Sequence, residues 1–61
     1  MKATITPNGS GFAVYLLSAP DRKGFCAATC RGLFAIKAEA QTEAARVGAL
    51  YRCPIEDRTQ P

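Results

Sequence analysis

Histidine and tryptophan are absent from this chain of 61 residues, and methionine occurs once. Without histidine the sequence lacks both the commonest general base near neutral pH and the commonest nitrogen ligand for metals. Cysteine is scarce and odd in number: Cys26, Cys30 and Cys53 cannot complete a four-coordinate zinc site, and strand residues four apart stand ~13 Å from each other. No catalytic residue, metal site or cofactor is therefore expected, and the chain is read as a non-enzyme. The three cysteines are expected to be small buried hydrophobes in a reducing compartment, with a bond from Cys53 to one of the other two open to formation in air.

Long apolar runs are missing too. The longest, Phe12 to Leu17, is far short of the ~20 residues that cross a bilayer as a helix, and no charged-then-apolar leader opens the sequence. No membrane association is expected. Aromatics are few, three Phe and two Tyr, while the hydrophobic share is 48%, so much of the apolar content is alanine. A core built from such residues must be thin, and its elements must approach closely. At this length there is room for one domain and for no deep substrate cavity.

What is present reads as three strands and a helix. Lys2 to Thr6 alternates polar and apolar residues, with Ala3 and Ile5 on one face. The run Pro7-Asn8-Gly9-Ser10-Gly11 is a hairpin turn; it is not a phosphate-binding glycine loop, because such loops lead from a strand into a helix. Phe12 to Ser18 predicts the central strand, Ala19 to Gly24 a second hairpin loop with Pro20 at the first central turn position, and Phe25 to Cys30 a third strand. Leu33 to Ile36 would be a short fourth strand or part of the approach to the helix.

From Ile36 onward the period changes to about 3.6, with Ile36, Ala40, Ala44, Val47 and Tyr51 on one stripe. This predicts a helix over Lys37 to Arg52, acidic early at Glu39 and Glu43, basic late at Arg46 and Arg52, and stopped by Pro54. The expected fold is thus α+β: a three-stranded, or with Leu33–Ile36 four-stranded, antiparallel sheet with one C-terminal helix on one face. Ala40, Ala44 and Gly48 would let that helix lie against Cys26, Ala28 and Cys30. Ile55 to Pro61 is expected to be a loosely ordered tail, with Glu56 and Asp57 solvated.

One helix covers one face of such a sheet and leaves the other open. If Phe12, Val14 and Leu16 face the helix, Tyr15 and Leu17 lie on the open face near Thr4, Thr29 and Arg31. These residues, with Arg22 and Lys23 at the second hairpin tip, are the candidate partner-binding set: Tyr15, Leu17, Arg22, Lys23, Thr29 and Arg31. The charge supports the placement. Residues 1 to 37 carry five cations against Asp21 alone, whereas residues 38 to 61 carry three cations against four acids.

Two resemblances suggest what such a face would bind. Taken as a free-standing chain with a thin core, the protein resembles, in size and architecture, the small phage and mobile-element inhibitors known as anti-CRISPRs. That resemblance implies a protein partner, a CRISPR effector complex, whose engagement of target DNA would be blocked in the cytoplasm of a bacterial host. The stretch Gly32 to Arg46, with Phe34, Lys37, Glu39 and Ala40, resembles the arm-type DNA-binding domains of tyrosine recombinases and implies the alternative, a nucleic-acid partner held on a basic sheet face. A homodimer joined through exposed strand edges is compatible with either.

Overall fold

The computed structural model describes residues 1–59. Its elements, in chain order, are β1 (Lys2–Asn8), β2 (Gly11–Leu17), β3 (Ala28–Phe34), α1 (Lys37–Tyr51) and β4 (Ile55–Asp57). The strands form one mixed sheet in the order β3-β2-β1-β4, with α1 packed on one face. β1, β2 and β3 pair antiparallel in sequence, and β4 runs parallel to β1. The small α+β architecture is the one expected, with two changes in the strands.

β1 and β2 form because their alternation matches a half-buried pleat, and they join through a two-residue turn at Gly9-Ser10. Gly9 has φ 60, the positive value that the first central position of a type II′ hairpin turn requires. The strand expected at Phe25–Cys30 lies three residues later. Ser18 and Ala27 extend the β2–β3 hairpin by a backbone pair, and Asp21 and Phe25 close its tip. The turn is centred on Arg22-Lys23 with Asp21 ahead of it, so Pro20 precedes the turn and does not occupy it. Gly24, at φ 83, supplies the left-handed residue that ends such a three-residue loop.

β3 carries a bulge. Val14 pairs with Gly32 and Tyr15 with Cys30, which leaves Arg31 as the extra residue. Leu33 and Phe34 complete β3 and are not a separate strand.

Among the described residues eight apolar side chains are buried, Ala3, Ile5, Ala13, Val14, Leu16, Ala40, Ala44 and Val47; half are alanine, and for all but Ala13, which faces away from α1, close approach of helix to sheet is what excludes water. Ile5 and Val14 pack with Ala40 and Ala44, flanked by Phe12 and Phe34; Ala3 and Leu16 pack with Val47 and Cys53. The outer members of the expected helical stripe are left out: Ile36 is 58% exposed, and Tyr51 is exposed too. α1 starts at Ile36 without a side-chain cap, and it has Glu39 but no basic residue in its first and last turns, respectively. It ends one residue earlier than expected, because Arg52 takes the left-handed C-cap conformation at φ 53.

β4 corrects the expectation of a loose tail for residues 55 to 59; Gln60 and Pro61 lie outside the described residues. After Pro54 stops the helix, its carbonyl accepts the Ala3 amide at 2.9 Å, and the Arg58 amide donates to the Ile5 carbonyl at 2.8 Å. Glu56 and Asp57 are not simply solvated. Lys2 Nζ lies 2.9 Å from Glu56, which also pairs with Arg58, and Lys37 Nζ lies 3.5 Å from Asp57.

Both carboxyls are held below their ordinary range. For Glu56 the hydrogen bond from Lys2 is the leading cause and that from Arg58 the next; for Asp57 it is the Thr59 hydroxyl, ahead of the Thr59 amide and the charge of Lys37. A carboxyl with a lowered folded pKa stabilises the fold above its unfolded pKa, and that contribution disappears as the pH falls through the folded value. Glu56→Gln and Asp57→Asn should therefore melt below the parent at pH 7 and converge with it in acid well below pH ~4. Melting curves that stay parallel down the whole series would show that these pairs do not hold β4.

Candidate functional site

Because α1 is the only helix among the described residues, none of their elements lies over the face of the sheet opposite it. The register fixes who stands there. Across the sheet run three rows: Leu33–Ala13–Thr6, Cys30–Tyr15–Thr4–Glu56 and Ala28–Leu17–Lys2. Tyr15 and Leu17 are thus on the open face as expected, both half-buried against their neighbours. Thr4 and Ala13 are fully buried, although nothing lies above them. The side chains of the face itself must close over them.

The bulge at Arg31 changes the partners expected beside Tyr15. Below the bulge the alternation of β3 is inverted, so Thr29 stands opposite Leu16 on the helix side of the sheet. Arg31 also turns to that side, where its guanidinium carbon lies 5.8 Å from the centroid of the Tyr51 ring on α1. In their place the open face gains Cys30, Ala28 and, above the bulge, Leu33, which is 65% exposed. Cys26 lies in the hairpin arm. Both Cys26 and Cys30 are exposed and free, contrary to the buried role expected of them, while Cys53 alone is partly buried in the core. The helix therefore has neither cysteine beneath it.

Arg22 and Lys23 remain where expected, exposed at the hairpin tip. The Asp21 carboxylate holds that tip, accepting the Lys23 amide at 2.8 Å and the Phe25 amide at 3.0 Å.

The electrostatics of the open face differ from the basic surface expected of a DNA-binding sheet. Its cations are Lys2 and Arg58, and both are paired with Glu56. The centre of the face is apolar and the β4 edge is ionic. At the end where the hairpin arm leaves the sheet, Met1, Lys2, Leu17, Pro20, Cys26 and Pro54 wall a largely apolar groove of about 300 Å³. It shares Leu17 and Lys2 with the face and so continues it. One signal could have pointed to Ala28 and Cys30: Gly32 is a residue that often marks a bulge, and a bulge beside Gly32 inverts every side chain between it and the hairpin.

Among the described residues no three potential metal ligands converge. No helix of the described residues is long and apolar enough to cross a membrane. No family model, curated protein or solved structure matches the chain.

Proposed function

We propose that the chain is a non-enzymatic binding protein of the inhibitor kind, which docks its uncovered sheet face on a larger protein. The observation that carries this reading is the make-up of that face: an apolar patch of Leu33, Tyr15 and Leu17 on β3 and β2, bordered toward the β4 edge by the Lys2–Glu56–Arg58 ion pairs. An apolar centre with a polar rim is the anatomy of a protein interface, and a tyrosine near the centre is the residue type that most often anchors one. The adjoining groove is of a size to take an anchoring side chain from the partner.

The resemblance to anti-CRISPR proteins in size and architecture makes a CRISPR effector complex the proposed partner, with the docked chain blocking engagement of target DNA. Purified effector complexes passed over the immobilised chain should be retained and should lose target-DNA binding. Tyr15→Ala and Leu33→Ser should each weaken retention about tenfold or more, equivalent to ~1.4 kcal/mol, while the circular dichroism spectrum stays that of the parent. If both variants bind as the parent does, the open face is not the interface; if no effector complex is retained, the inhibitor reading fails.

A further inference from the structure

The unpaired cations lie toward one end of the molecule, Arg31 reaching it from midway along β3. Among the described residues, Arg22, Lys23, Arg31 and Arg52 have no carboxylate within ion-pair distance, whereas Lys2, Lys37, Arg46 and Arg58 do. Topology brings the four together. The hairpin arm leaves the sheet at Leu17 and Ala28, opposite Lys2, and α1 returns to the same end, where Pro54 bonds to Ala3. Arg22 and Lys23 are on the arm, Arg52 caps α1, and Arg31 reaches the last residue of α1 through the Tyr51 ring.

Two of these features call for an anion. The Nε of Arg31 is shielded from solvent and has no hydrogen-bond acceptor, which is costly for a guanidinium nitrogen. Its electrostatic neighbour Glu43 is already committed to Arg46 through two hydrogen bonds, at 2.8 and 2.7 Å. On the arm, the single acid, Asp21, is turned onto the amides of Lys23 and Phe25, so it forms no pair with either neighbouring cation.

Two exposed rings stand among the cations. Phe25, 70% exposed, follows Arg22 and Lys23 with its amide held by Asp21 and its carbonyl accepting the Asp21 amide at 2.9 Å. Tyr51 has Arg31 over its ring and is itself exposed. A backbone fixed on both sides presents Phe25 to solvent with little ordering left to lose on contact.

We infer that this end of the molecule, Arg22, Lys23, Phe25, Arg31, Tyr51 and Arg52, is a binding surface for single-stranded nucleic acid, separate from the open sheet face. A nucleic-acid strand alternates phosphates, which cations take, with bases, which aromatic rings stack on. In a duplex the bases are stacked on one another and closed to Phe25 and Tyr51, so the rings select the single strand. The inference goes beyond the protein-docking reading and does not depend on it.

Fluorescence anisotropy of a labelled oligothymidine over a salt series tests it. Each phosphate contact contributes about −0.7 to the slope of log K against log salt, so four cations set a limit near −2.8, and Arg22→Ala with Lys23→Ala should reduce its magnitude by about 1.4. Phe25→Ala should weaken binding about tenfold at every salt concentration and leave the slope unchanged. Tyr15→Ala and Leu33→Ser should change neither. Any of three results overturns the inference: no binding at low salt, duplex of the same length bound as tightly, or displacement of the oligonucleotide by polyglutamate at equal charge, which would assign the surface to an acidic protein.

Discussion

Gly11→Ala is expected to lower the stability of the fold by about 2–3 kcal/mol, at the upper end of what overpacking costs. A Cβ at this position would stand 2.6 Å from the carbonyl oxygen of Phe34 and 3.5 Å from its carbonyl carbon. Those are backbone atoms of the neighbouring strand, so no side chain can swing aside; relief requires the start of β2 to part from the end of β3. Gly9, two residues away, gives the contrast that isolates the cause. It has the left-handed φ of 60 and open space around its missing Cβ, so alanine there meets only the conformational penalty, ~1–2 kcal/mol. The smaller loss should thus fall at the residue in the turn and the larger at the residue in the strand. Equal melting of Gly11→Ala and the parent would show that the corner joining β2, Phe34 and Ala35 is looser than the packing described.

The elements legible from residue order were those whose pattern is local. Ala3 and Ile5, then Phe12, Val14 and Leu16, alternate without interruption, and both strands and their helix-facing sides follow directly. The same holds for Ala40, Ala44 and Gly48, whose spacing of four places them on the buried stripe of α1. β3 was legible only as a strand. Its offset depends on how many residues the hairpin arm takes, and that is set by the Ser18–Ala27 and Asp21–Phe25 pairs, which no periodicity announces. Its facing depends on the bulge, and one extra residue was enough to carry Thr29 and Arg31 to the helix side and Cys30 to the open face.

Gly32 shows how that bulge is kept. Phe34 lays its ring where a Cβ of Gly32 would be, 2.7 and 2.8 Å from two ring atoms, so the ring covers a backbone that no side chain of its own protects. A sequence pattern read at period two has no term for a side chain that packs over its own strand two residues back.

The charge distribution departs from the sequence pattern for a different reason. The excess of cations in residues 1 to 37 suggested a basic sheet, yet Lys2 and Lys37 are matched by Glu56 and Asp57, about twenty to more than fifty positions away. β4 brings them there by pairing in parallel with β1, a non-local arrangement that three residues beginning at Ile55 do not signal. The net charge of +3 thus survives mainly at the hairpin end, and the sheet is left with its apolar centre exposed. The two surfaces differ in chemistry because the short fourth strand sets Glu56 between Lys2 and Arg58 on one, whereas Arg22, Lys23 and Arg52 on the other form no ion pair among the described residues.

That strand also makes Gly48 a sensitive point on the helix. Gly48→Leu is expected to cost about 3 kcal/mol, the overpacking term exceeding the ~0.8 kcal/mol of helix propensity regained. Its missing Cβ faces Ile55 Cγ1 at 3.0 Å, Ile55 Cδ1 at 3.1 Å and the Cys53 carbonyl at 3.2 Å, rather than Cys26, Ala28 and Cys30. A leucine would therefore press on β4 first. Native-state hydrogen exchange should show the Ala3 and Arg58 amides, which bond β4 and its approach to β1, losing protection, while amides between β1 and β2 keep theirs relative to global unfolding. Ile55→Ala in the same chain should recover part of the loss, because it opens the space that the leucine invades; the coupling read from the double-mutant cycle measures that contact. Loss of protection confined to β3, with none at Ala3 or Arg58, would mean that the buried stripe of α1 meets the sheet at the opposite edge.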